Sequence, residues 1–197
     1  FFYYSGAFTL QNPEAYSCLY FPLASEAGLK SAVTPNLGGD CKLDQETFLL
    51  EPVSSENLHA NRGTRNFWCV TEHGCWSVTG VSAEQEALRF TTEQDESRLT
   101  AGLMWQTVQR DSSRYALRSE ITAFVPAQEN VEILYIRITN TDTAPQSITG
   151  IAAVPIYGRS ADNLRDHRNV TSMLHRIRTT EHGVLVKPTM SFDEKGH

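Results

Sequence analysis

The densest run of chemistry-bearing side chains lies between Tyr157 and Arg168 and reads Tyr-Gly-Arg-Ser-Ala-Asp-Asn-Leu-Arg-Asp-His-Arg. Arg159, Arg165, His167 and Arg168 share ten positions with Asp162 and Asp166, and Asn163 sits among them. Guanidinium forks hold carboxylates, phosphates or sugar hydroxyls in fixed geometry, and nearby aspartates orient the forks. The run follows an apolar segment, and loops at strand ends are where binding residues concentrate. It reads as a substrate rim or an interface, with His175 a little further along. An internal Arg–Asp network pinning a long loop accounts for the same residues. A metal site from Asp166, His167 and His175 is poorly served, because the histidines are eight apart and lack a third strong ligand. No metal is expected.

A second cluster joins Arg62, Arg65, Asn66, Phe67 and Trp68. Aromatic faces stack on pyranose rings while Arg and Asn bond hydroxyls, so Arg62, Arg65, Asn66 and Trp68 are candidate sugar contacts. The plainer reading makes Phe67 and Trp68 strand residues, one facing in and one out. Glu26, Asp40, Asp44 and Glu46 are too scattered to form the carboxylate pair of glycoside hydrolysis. The chain has no GxSxG elbow, HExxH pair or phosphate-binding P-loop, and Gly38-Gly39 alone signals only a turn. No catalytic residue is assigned, and no cofactor is expected in the domain itself.

The elements that must position these groups read as strands. Tyr115, Leu117, Ile121, Ala123 and Val125 alternate with Arg118, Glu120 and Thr122, the period of a half-buried strand. Val131 to Asn140 is apolar on both faces and reads as a strand inside the sandwich. Ser147 to Ile156 and Leu99 to Arg110 are further strands, the latter with Leu103 and Trp105 on one side. Glu72-His73-Gly74 and Glu181-His182-Gly183 each join two strand-like runs, so both histidines read as hairpin-turn residues. Ser82-Ala83-Glu84-Gln85 resembles a capping box opening a helix of about two turns. Residues 22 to 66 are either a decorated loop or short strands. The sum is an all-β, mostly antiparallel fold with one short helix, a two-layer sandwich rather than a closed barrel.

Composition narrows the functional classes. The 197 residues amount to one domain with a full core. Seventeen Lys and Arg against 23 Asp and Glu leave a net charge of −6, which disfavours nucleic acid and anionic membranes as partners. No apolar run approaches the ~20 residues of a membrane span. Cys18, Cys41, Cys69 and Cys75 lack CxxC spacing and read as free thiols, although Cys69 and Cys75 flank one hairpin turn. Asn169-Val170-Thr171 fits a glycosylation sequon that matters only in a secreted chain. The aromatic start, Phe1-Phe2-Tyr3-Tyr4, suggests a domain taken from a longer polypeptide.

Several motifs in order resemble the N-terminal region of glycoside hydrolase family 94, the cellobiose-phosphorylase-like enzymes. They are Tyr20-Phe21-Pro22-Leu23-Ala24 with Glu26-Ala27-Gly28, Asn57-Leu58-His59, Arg65-Asn66-Phe67-Trp68 and Trp76-Ser77-Val78-Thr79-Gly80. Tyr157 to Asn163, Arg165 to Arg168 and Phe192-Asp193-Glu194-Lys195-Gly196-His197 complete the set, from about residue 16 onward. The resemblance implies a mutarotase-like β-supersandwich preceding an (α/α)6 catalytic barrel in the same chain. It implies a bacterial, cytoplasmic, dimeric parent that cleaves an oligosaccharide by inverting phosphorolysis, with inorganic phosphate as co-substrate. Residues 1–197 are then a single, incomplete N-terminal domain that does not catalyse alone but serves assembly and shapes the substrate cleft. One departure is Asn169, where related sequences often carry His, which bears on any rim role for the nearby His167. Rival readings are a stand-alone carbohydrate-binding module, a phosphorylase-like region of a cyclic glucan synthase, and a mutarotase-like epimerase. The last lacks a Glu partner for His59, His167 or His175.

Overall fold

The computed structural model describes residues 6–16, 19–54, 65–161 and 175–188. Within them run β1 (Phe8–Gln11), β2 (Phe21–Ala24), β3 (Lys30–Val33), β4 (Cys41–Lys42), β5 (Asn66–Thr71) and β6 (Gly74–Ser77). A helix, α1 (Ala83–Ala87), precedes β7 (Glu96–Gly102), β8 (Trp105–Ser112), β9 (Leu117–Phe124) and β10 (Ile133–Asn140). The chain continues through β11 (Thr149–Ala153), β12 (Arg176–Thr180) and β13 (Gly183–Lys187). One open sheet has the order β1-β7-β8-β9-β10; two three-stranded sheets run β2-β3-β4 and β11-β5-β6, and β12-β13 is a hairpin. Every paired strand is antiparallel.

The large sheet turns one face inward because its strands alternate. Leu117, Ser119, Ile121 and Ala123 of β9 are buried while Arg118 is exposed. Against this face pack Leu23, Val33, Cys41, Cys69, Trp76 and Val78 from the two smaller sheets and their connections. Trp76, 1% exposed, stacks near Tyr115 with ring centroids 6.3 Å apart. Its indole Nε1 donates to Asp95 Oδ2 at 2.8 Å, so the buried N–H has its acceptor. The Tyr115 hydroxyl donates to Glu84 and ties α1 to the core; burial, then that carboxylate, pushes the phenol upward.

Helix α1 begins where the capping motif places it. Ser82 Oγ accepts from the Gln85 N–H at 3.1 Å. The Gln85 Oε1 accepts from the Ser82 hydroxyl at 2.9 Å, while its Nε2 donates to the Ser77 carbonyl and Asp95 Oδ2. The helix is only five residues long, shorter than two turns.

Two expectations change, and one open reading resolves. Leu99 to Arg110 is not one strand but a hairpin, β7 and β8, turning at Leu103 and Met104. Met104 takes φ 61° and Leu103 is 86% exposed, so the turn uses none of the residues that normally announce one. The apolar run to Asn140 lies at the sheet's edge, with β9 as its strand partner among the described residues. Leu134, Ile136 and Ile138 pack on the core, whereas Tyr135 is 55% exposed. Residues 22 to 66 resolve, where described, into the short strands β2, β3 and β4.

A buried ion pair links β8 to the first loop. Arg110 reaches the Glu14 carboxylate, which also accepts from Ser97 Oγ. Burial alone raises the Glu14 carboxyl, but Arg110 and the Ser97 hydroxyl outweigh it and hold the group below its ordinary 4.5. A depressed carboxylate stabilises the fold above its unfolded value and loses that contribution as pH falls through the folded one. Glu14→Gln is therefore expected to lower the melting temperature at neutral pH. The gap to wild type should close as the buffer is taken below 4.5, and a constant gap across that range is the contrary result.

Candidate functional site

The described part of the Tyr157–Arg168 run lies along residues 45–49. Tyr157 N–H donates to Leu49 O at 2.8 Å, Phe48 and Arg159 exchange bonds of 2.9 and 3.2 Å, and Ala161 N–H donates to Gln45 O at 2.9 Å. Gly158 permits the turn between them at φ 65°, and the Tyr157 hydroxyl donates to Ser160 O. Arg159 is only 7% exposed, so its guanidinium is a buried group rather than a free rim residue. Burial pushes the Tyr157 phenol up, with Arg159 opposing. His175 Nε2 bonds the Tyr157 carbonyl at 3.1 Å; a carbonyl only accepts, so Nε2 carries the proton. Its Nδ1 is buried with no hydrogen-bond partner among the described residues.

Beside this seam lies a cleft of about 450 Å³ lined by Leu43, Phe48, Leu49, Ile156, Val184 and Pro188, with Lys42, Glu46, Asn130 and Arg159 as polar members. Lys42 pairs with Asp40 at 3.1 Å and stands 4.8 Å over the Phe48 ring. The cleft is therefore mostly apolar, with Lys42, Glu46 and Arg159 as its charged lining residues. Asp162, Asn163, Arg165, Asp166, His167 and Arg168 lie outside the described residues, as do Arg62, His59, Cys18 and the Asn169 sequon. Among the described residues, no three His, Cys, Asp or Glu side chains converge to hold a metal ion.

The second cluster divides. Arg65 is 1% exposed and forks onto Glu132, with Nε to Oε2 and Nη2 to Oε1 both at 2.8 Å. Nη1 faces Leu37 O at 3.0 Å and Gly38 O at 3.4 Å, and the remaining Nη2 hydrogen is shared between Ser31 Oγ at 2.9 Å and Asp40 O at 3.1 Å. A guanidinium has five N–H donors, and here all of them face protein acceptors, so the structure places Arg65, a candidate sugar contact, inside the fold. Asn66 is equally occupied: Oδ1 accepts from Ser77, Thr79 and the Phe67 N–H, and Nδ2 donates to Val81 O. Phe67 packs on the core and Trp68 faces the other way, as the plainer reading has it. Trp68 is half-buried and shares its face with Val70, Cys75 and Ile151. Glu132, which completes the Arg65 clamp, is visible in sequence only as a charge at the head of an apolar strand.

His73 and His182 sit in hairpin turns, each with its N–H donated to the threonine two residues before it, Thr71 and Thr180. Cys41, Cys69 and Cys75 are free; the register puts Cys69 opposite Trp76 and Cys75 opposite Val70, on opposite faces. Burial pushes the Cys41 and Cys69 thiols up to about 11, which leaves both unreactive.

Antiparallel sheets packed through buried apolar faces, with one short α-helix among the described residues, define a β-sandwich. The sequence matches the family model "Glycosyl hydrolase 94, supersandwich domain" over residues 70–195, and the chain belongs to that family. The match takes in Trp76 to Gly80, Tyr157 to Asn163 and Arg165 to Arg168, whereas the motifs before residue 70 rest on resemblance. None of the curated proteins matches the chain.

Proposed function

We propose that this domain is the non-catalytic N-terminal part of a bacterial, cytoplasmic, inverting glycoside phosphorylase. Its work there is assembly and shaping of the substrate cleft beside an (α/α)6 barrel of the same polypeptide. The family match supports the reading. The observation that carries it is how the surface is divided. Arg65 and Asn66 are engaged inside the fold, while Ile151, Val154, Ile177 and Val184 are 48–67% exposed. Such a surface suits packing against another protein body better than binding a polar substrate. Free thiols at Cys41, Cys69 and Cys75 fit a reducing compartment. The parent would form a homodimer, with Asp162, Asn163, Arg165, Asp166, His167 and Arg168 at the subunit interface or the rim of the site.

The test compares this chain with the complete polypeptide in phosphate-dependent release of a sugar 1-phosphate from oligosaccharides. Turnover is expected only when the barrel is present, and turnover by this chain alone would overturn the reading. Arg165→Ala with His167→Ala tests the rim role: unchanged activity and unchanged dimerisation of the parent would remove it. A second reading, sugar binding by the domain itself, draws on Trp68 at the outer sheet face. It predicts oligosaccharide affinity that disappears in Trp68→Ala.

A further inference from the structure

The register of β12 and β13 sorts their side chains by chemistry. Ile177 stands opposite Val186 and Thr179 opposite Val184, so one face of the hairpin is apolar, and Val184 and Val186 line the cleft. On the other face Arg176 stands opposite Lys187, and Arg178 opposite Leu185. Arg176, Arg178 and Lys187 are all exposed, and among the described residues none has an ion-pair partner. Like charges directly opposite one another destabilise an antiparallel pair. Three cations on one small hairpin face also run against a chain whose net charge is −6. The fold thus bears a local repulsion that a bound anionic partner would relieve.

We propose that this face docks a carboxylate-rich surface of another protein body. Leu185, 49% exposed, stands among the three cations. An apolar contact bordered by charge is the anatomy of a protein interface and offers nothing to a free phosphate. The face is open rather than enclosed, so a single small anion there is screened by salt, whereas several carboxylates act together. The inference does not depend on the phosphorylase reading, because it uses only the hairpin's own register and charge.

The test titrates a hexaglutamate peptide into the isotope-labelled chain at low salt and follows backbone amide resonances. Shifts confined to residues 176–178 and 185–187 are expected, weakened about tenfold or more by Arg176→Glu with Arg178→Glu. Arg176→Glu sets a carboxylate opposite Lys187, so the melting temperature should hold or rise while binding falls, which separates lost docking from unfolding. Inorganic phosphate and phosphatidylserine vesicles are titrated in parallel and should leave these amides in place. The proposal is overturned by undiminished hexaglutamate binding in the charge-reversed variant, by shifts spread over the whole chain or absent, or by phosphate or vesicles acting more strongly than the peptide.

Discussion

Arg65→Met is expected to lower the unfolding free energy by about 3–5 kcal/mol, the range for breaking one partner out of a buried ion pair. The Glu132 side chain, 8% exposed, would be left with no cation against it. The carbonyls of Leu37, Gly38 and Asp40 would each lose a donor as well. Urea unfolding of the variant and wild type measures the sum. Adding Glu132→Leu separates the two contributions: removing the second charge should recover the ion-pair part, because such pairs are often replaceable by apolar residues. The Leu37 carbonyl still lacks the Arg65 donor, although Gly38 O and Asp40 O keep the Thr34 and Ala32 N–H groups, so the double variant should fall between the single variant and wild type. A double variant no better than Arg65→Met would show that the carbonyl bonds, not the salt bridge, make this side chain necessary. Arg65→Lys should rescue little, since an ammonium cannot reach a carboxylate fork and three carbonyls at once.

The same clamp shows what a sequence reader can and cannot see. The alternation in β9 is legible because a single buried face imposes a period of two, and both Glu-His-Gly turns are legible because glycine marks them. Ser82 announces α1 by the side-chain chemistry of capping. The β7–β8 turn is silent because Leu103 and Met104 are not turn residues; strand pairing on either side forces Met104 to a positive φ. Nor does an apolar strand reveal whether it lies at the centre or edge of a sheet, since that depends on its neighbours, and among the described residues β10 lies at the edge. Arg65 illustrates the limit for sites. An arginine beside aromatic residues looks like a ligand-binding pair until Glu132, sixty-seven positions away, is found closing on it. Long-range partnership leaves no local pattern, and it decides whether a charged group is available for chemistry.

The turn that feeds Arg65 its acceptors is the second point of vulnerability. Gly39→Ala is expected to cost roughly 2–5 kcal/mol, from strained backbone together with overpacking. Gly39 lies between β3 and β4 at φ +106°, and a Cβ there would stand 1.9 Å from the Ala32 carbonyl oxygen. Neither partner can yield cheaply. Ala32 sits in β3, where its N–H donates to Asp40 O, and the preceding turn is tied by Thr34 N–H to Gly38 O at 3.0 Å. Gly28 provides the control: its φ is +113°, yet a Cβ there meets nothing within 4 Å. Gly28→Ala should therefore show only the backbone strain, about 1–3 kcal/mol, and the excess in Gly39→Ala isolates the collision. Pushing residue 39 outward also displaces the Leu37, Gly38 and Asp40 carbonyls from Arg65. Gly39→Ala combined with Arg65→Met should then cost less than the two single losses added, as sites sharing partners do. Strict additivity, or equal losses at Gly28 and Gly39, would mean that the turn moves without disturbing the clamp.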